Sequence, residues 1–257
     1  VLARAGFGSR RACEELIESG RVRVNDTPAH LGQRVDPDRD RLVVDGAPVG
    51  FLPGLVYYLL NKPVGVVSTA HDPEGRPTVV EMVPDDPRVF PVGRLDVMTE
   101  GLLILTNDGE FAQHLTHPSF GVEKEYLAEV RGDPAPGALR ALREGVEIEP
   151  GRLSAPAKVA RRGPEVLRIV VREGRYHEVR RMCEAVGHPV RRLVRTRIGG
   201  VADPHLPPGA FRELTLEEVR TLAGEAAGRV GTTRAERRRV SGVHARRGAV
   251  DDVSEEA

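Results

Sequence analysis

Apolar positions recur along this chain with two spacings, and the switches between them predict its elements. In residues 9–18, SRRACEELIE, the residues Ala12, Leu16 and Ile17 fall on one stripe of a helix behind the N-cap candidate Ser9, and Gly20 stops it. RVRVN (21–25) alternates instead, with Val22 and Val24 on one face and a turn signal at Asn25-Asp26. Leu42–Val44 predicts a second short strand ending in the Asp45-Gly46 turn. A helix and a small sheet make residues 1–50 a module of their own, and GFLPG opens a linker over 51–56. Beyond it the pattern predicts strands at 56–60, 102–106, 124–131, 165–172 and 190–198, with helices after Asn107-Asp108, after Pro136 and over 176–186. Strict alternation in the strand at 190–198 would put Arg191, Leu193, Arg195 and Arg197 on one face. Thr215 and Glu218 form a capping box that opens a last helix. Residues 57–224 thus hold many strands and few helices without regular βαβ alternation, which predicts an α+β domain with a mixed, mostly antiparallel sheet. Residues 225–257 are rich in Arg, Gly and Ser without periodicity and are expected to be disordered.

Composition narrows the classes. A chain of 257 residues can bury a core without disulfides, and its two cysteines, Cys13 and Cys183, lie far apart. A disulfide scaffold and a cysteine-based zinc site are excluded, and a reducing cytoplasm is the expected location. No apolar run approaches a membrane span, and the first residues lack a signal-peptide pattern. The formal net charge of zero hides a segregation: residues 51–150 carry eight basic and 16 acidic residues, residues 151–200 carry 13 and four. Such a basic block requires either an anionic partner or acidic neighbours in its own domain.

Two segments concentrate polar groups where apolar strands or helices begin. GRLDVMTEG (93–101) brackets Arg94, Asp96 and Thr99 with glycines, so the backbone turns tightly or approaches a ligand there. Spacing alone favours a structural Arg–Asp pair or a turn aspartate over a catalytic aspartate. GRYHEVRRM (174–182) puts Arg180 and Arg181 about 100° apart on a helix, so that one could face a carboxylate and the other a phosphate, although on this segment alone two surface arginines are the favoured reading. His114 and His117 have helical spacing but no third ligand nearby, so no metal site is expected. Tyr126 and Cys183 read as core residues on base rates alone.

Together these pieces form a longer pattern. KPVGVVST, GRLDVMTEGLLILTNDG, KEYLAEVRG and EGRYHEVRRMCEAVGHPVRRLVRTRIGG, in that order, resemble the RsuA/RluB-type pseudouridine synthases. ARAGFGSRRACEELIESGRVRVN resembles the S4 RNA-binding domain that precedes the catalytic domain in that family, and the likeness runs over residues 3–223. The resemblance implies an S4 domain, then a catalytic domain with an extended, mostly antiparallel sheet and a central cleft. It implies isomerisation of uridine to pseudouridine in RNA without cofactor or metal. Asp96 matches the family's nucleophile, Arg94 the arginine that helps displace the target base, and Tyr126 the tyrosine that stacks on that base. Arg180 matches the basic residue that pairs with the aspartate. Leu193 is a candidate for the uracil-pocket wall, and Thr99 and Arg181 for further substrate contacts. Glu178 stands where Gln is frequent. Arg4, Arg10, Arg11, Arg21 and Arg23 are the RNA-binding candidates of the first module.

The chemistry suits these residues. A carboxylate acts as a nucleophile only when ionised, and an adjacent guanidinium favours that form. A base inside a helix is out of reach, so the nucleotide must flip out. Both 16S and 23S ribosomal RNA are targets in the family; VDPDRDRLVVDG and the basic tail lean towards 23S, with naked RNA or a ribosomal assembly intermediate as substrate and a monomer as the working form. The competing class is a non-catalytic RNA-binding or ribosome-assembly protein, which would have no need of Asp96, Tyr126 and Arg180 together.

Overall fold

The structure is a computed structural model that describes residues 1–3, 5, 7–36, 40–48 and 54–224. Arg4, residues 51–53 of the expected linker and the tail 225–257 lie outside the described residues. The chain divides into two compact units: Val1–Ala112 with Leu206–Leu214, and Gln113–His205 with the segment from Thr215.

In the first unit, helix α1 (Arg10–Glu18) starts at Ser9, whose Oγ accepts the Ala12 N–H at 3.2 Å. Its buried member is Cys13 rather than Ala12, and with Leu16 and Ile17 it packs on Val22, Val24, Leu42 and Val44. Those residues belong to a four-stranded antiparallel sheet ordered β2-β1-β3-β4. Its strands are β1 (Val22–Val24), β2 (Thr27–Pro28), β3 (Leu42–Val44) and β4 (Ala47–Pro48). The predicted turns close both hairpins with left-handed backbone, φ 51° and 65° at Asn25-Asp26 and 51° and 82° at Asp45-Gly46, as two-residue hairpins require.

The rest of this unit is built on β7 (Thr99–Thr106), whose residues from Gly101 onward are all buried. It pairs antiparallel with β5 (Tyr57–Lys62) and with β6 (Phe90–Val92), and β14 (Phe211–Glu213) pairs with β5. Asp108, as expected, caps helix α2 (Gly109–Thr116), its Oδ1 accepting the N–H groups of Glu110 and Phe111 at 3.1 Å. Asn107 acts on the strands instead. Its side-chain amide bonds the backbone of Val56 and Gly54, tying the start of β5 to the end of β7.

The second unit is a ladder of four antiparallel strands ordered β11-β12-β8-β13. They are β8 (Lys124–Val130), β11 (Lys158–Gly163), β12 (Val166–Val171) and β13 (Val190–Ile198). Two helices, α3 (Pro136–Glu144) and α4 (Glu178–Ala185), and a small hairpin of β9 (Glu147–Glu149) and β10 (Arg152–Leu153) complete it. Ala128, Val130, Leu142, Leu167, Ile169, Met182 and Cys183 form its core, and burial pushes the Cys183 thiol up to about 12. The expected capping box is present: the Thr215 N–H donates to Glu218 and the Glu218 N–H to Thr215 Oγ1.

Strand β13 departs from the alternation that the sequence implied. Its register with β8 shifts between Val190 and Arg192 and again between Arg195 and Arg197. Each extra residue moves the following side chains to the other face. The three arginines therefore do not share one face: Arg195 is buried beside Leu193, whereas Arg191 and Arg197 are exposed and pair with Glu165 and Glu125.

Candidate active site

Asp96 lies in the connection from β6 to β7, where Gly93 adopts φ 74° and lets the chain leave β6 sharply. On either side of the half-buried Asp96 the backbone is tied down. The Ser68 hydroxyl donates to the Leu95 carbonyl at 2.8 Å and accepts the Leu95 N–H at 3.1 Å, in a buried setting. The Val97 carbonyl accepts the Gly65 N–H at 2.9 Å, with the Lys62 ammonium 3.4 Å away. The Asp96 carbonyl accepts the N–H of Thr99, a buried residue that opens β7. Lys62 is fully buried, and its Nζ also donates to the Pro63 carbonyl at 2.9 Å. Arg94 stays exposed on the same loop. Arg94, Asp96 and Thr99 thus share one clamped connection, and the KPVGVVST segment supplies much of the clamp.

In the second unit the inward face of β8 changes character along its length. Ala128 and Val130 belong to the core, while Tyr126 is half-buried against it. Arg195 is the register partner of Tyr126 and Leu193 that of Ala128. Leu193 is 4% exposed inside the hydrophobic cluster. Lys124, next on this face, has its ammonium pushed down to about 8 by burial and by Arg195, against the pull of Glu178. Glu178, the first residue of α4, is 6% exposed, and burial with the neighbouring Glu173 pushes its carboxyl up to about 7. The apolar core therefore ends in a polar group of Tyr126, Arg195, Lys124 and Glu178. Lys124 and Arg195 escaped the sequence reading because long basic side chains on alternating strands read as solvent-facing.

Helix α4 begins at Glu178 rather than Tyr176, because His177 takes a left-handed conformation (φ 54°). Arg180 is half-buried on it. Arg181 bonds Glu149 at 2.6 Å, and its guanidinium stands over the Tyr176 ring. His114 and His117 have local roles: both rings pack edge-on to Phe120, and His117 Nδ1 accepts the Ser119 N–H. On the first module, Arg10 and Arg11 are exposed on α1. Arg21 is engaged by Asp45 at 2.7 Å, and the Arg23 guanidinium donates to the Asp26 carbonyl.

The basic block of residues 151–200 meets acidic partners within its own unit. Lys158 and Arg172 hold Glu123, Arg168 and Arg197 hold Glu125, Arg192 holds Glu129, Arg161 holds Asp133 and Arg191 holds Glu165. Burial pushes the Glu123 and Glu125 carboxyls up, but the hydrogen bonds from these cations outweigh it and keep both below their usual range.

A sheet-based α+β catalytic region with a clamped aspartate loop, behind a small helix-and-sheet module, defines the class. Residues 56–185 match the RNA pseudouridylate synthase family and residues 1–40 the S4 domain. The chain belongs to the RNA pseudouridine synthases and is an isomerase of that family. It is similar to an uncharacterized RNA pseudouridine synthase of Mycobacterium leprae (strain TN), 44% identical over 237 residues, covering 88% of this chain and 91% of that one. It is also similar to ribosomal large subunit pseudouridine synthase B of Bacillus subtilis (strain 168), 42% identical over 230 residues, covering 86% and 93%. A crystal structure of a pseudouridylate synthase matches with a TM-score of 0.64 at 29% identity, over 86% of this chain and 96% of that one.

Proposed function

We propose that this synthase converts a specific uridine of 23S ribosomal RNA to pseudouridine, with Asp96 as the nucleophile. The observation that carries the reading is the loop itself: Asp96 stands half-buried between Leu95 and Val97, whose backbones are held by Ser68, Gly65 and Lys62. A carboxylate whose backbone is fixed on both sides loses little freedom on reaching the transition state. Relatives named ribosomal large subunit pseudouridine synthase B, in Bacillus subtilis and in Vibrio cholerae, support the large subunit as substrate.

In this reading the N-glycosidic bond breaks and the uracil turns so that C5 meets C1′. Asp96 attacks C1′ or C6, or takes a proton from the sugar, and each route needs an ionised carboxylate, for which Arg180 is the assigned counter-charge. Tyr126 gives the flipped base a stacking face and stands ready for the proton at C5. Arg94 fills the gap that the base leaves. Extrusion costs on the order of a few kcal/mol, which phosphate contacts from exposed arginines such as Arg10 and Arg11 offset.

The test is release of tritium from 23S and 16S transcripts labelled at uracil C5, with Asp96→Asn alongside. Release from 23S RNA by the wild type alone is the expected result. Release from 16S RNA would reassign the target, and equal release by the variant would remove Asp96 from its role.

A further inference from the structure

We propose that Tyr176, with His177 and Arg181, is a stacking platform for an unpaired base of the RNA substrate. This deepens the RNA-modifying reading and rests on it. Tyr176 lies just before His177, the N-cap of α4, and is 65% exposed, so its ring serves no core. Its orientation is nevertheless fixed. The ring lies parallel to that of His177, with centroids 3.9 Å apart and planes 17° from parallel. The guanidinium carbon of Arg181 is 5.2 Å from the Tyr176 centroid, and Glu149 holds that guanidinium in turn.

Two physical facts converge on a ligand. The left-handed backbone at His177, a residue with a Cβ, is of the kind found at ligand clamps. An oriented aromatic with a cation at its face is the arrangement on which single-stranded RNA bases stack, whatever their identity.

The surroundings suit a nucleotide rather than a protein side chain. Arg175 donates to the Leu153 carbonyl and brings the exposed β10 beside the platform. The nearby carboxylates Glu149 and Glu173 are already engaged by Arg152, Arg181 and Arg175, which lowers their repulsion of phosphate.

The chain contains no tryptophan, so Tyr176→Trp creates a single fluorescent reporter at the platform, and Leu216→Trp supplies an exposed control. The probe is a short single-stranded RNA of mixed sequence, compared with the same RNA annealed to its complement. The single strand is expected to quench Tyr176→Trp saturably, more strongly than the duplex does and more strongly than it quenches Leu216→Trp. Tyr176→Ala is expected to weaken binding of the single strand by roughly five- to a hundred-fold, and Tyr176→Phe to retain it. Unchanged binding by Tyr176→Ala, absence of quenching, or equal quenching of the two tryptophans would overturn the platform. Tritium release by the wild type reports the enzyme reading separately, so the two failures are distinguishable.

Discussion

Ser68 shows how one hydroxyl can fix the backbone beside the proposed nucleophile, Asp96. It satisfies both the N–H and the carbonyl of Leu95, the residue before Asp96, in a buried site. Ser68→Ala leaves both groups without that partner and is expected to destabilise the fold by about 1–3 kcal/mol. Its turnover of tritiated RNA should fall further than stability accounts for, because the carboxylate loses its fixed place. Urea denaturation and initial rates measured side by side check this, and a loss confined to stability would leave Ser68 a purely structural residue. Tyr126→Phe is expected to fold normally and turn over slowly; wild-type rates would return Tyr126 to the core. The polar loop was legible in the sequence, since Arg, Asp and Thr between glycines ahead of an apolar strand stand out. Its anchors were not. Ser68 lies outside every strand and helix that the apolar pattern predicts, and Lys62 has a side chain that is rarely buried completely.

Helix α4 carries a titratable group at its first turn, and its effect on stability has a definite sign. Glu178 is buried, and its folded value of about 7 lies above its ordinary 4.5. The folded chain thus keeps a proton that the unfolded chain releases, so this contribution is whole below about pH 4.5 and is lost as pH rises to about 7. The difference amounts to roughly 3 kcal/mol. Glu178→Gln removes it, so the variant should gain stability over the wild type at pH 8 but not at pH 4.5, as read from urea midpoints. An equal gain at both values would contradict the assignment. A second element-level expectation concerns the turn after α3. Gly145 has φ 106°, and a Cβ there would come within 2.6 Å of the Ser154 carbonyl oxygen, so Gly145→Ala should lower stability by about 2 kcal/mol or more in the same measurement. The sequence announced the helix starts at Ser9, Asp108 and Thr215 because each cap is a local hydrogen bond. The bulges of β13, the late start of α4 and the two-residue strands β2 and β4 stayed hidden, because tertiary pairing and a single left-handed residue decide them.

Across the whole chain, the basic block, for which the sequence left an anionic partner and acidic neighbours both open, is largely spoken for. Its arginines sit among acids of the same unit, where each exposed pair contributes little to stability, about 0–1 kcal/mol. The consequence shows in salt dependence. Arg10→Gln and Arg11→Gln on α1 should each flatten the slope of log affinity for RNA against log salt by roughly 0.7–0.9. Arg168→Gln and Arg197→Gln on the ladder should leave that slope alone. A filter-binding series in potassium chloride separates the two groups, and equal slopes for all four would mean that the ladder arginines do meet phosphate.

The ladder also ends in β11, a terminal strand whose outer backbone groups meet no further strand among the described residues. Such a rim is an open template on which another polypeptide can continue the sheet. β11 carries Lys158, Arg161 and Arg162, and its pairing with β12 slips between Arg161 and Gly163. Bringing a second copy alongside would set these cations against their own kind, and the slip spoils the straight register that strand addition needs. The cations that balance Glu123 and Asp133 therefore also guard the fold against self-templated aggregation. Exchanging Arg161 and Arg162 for valine should make concentrated protein scatter light long before it unfolds.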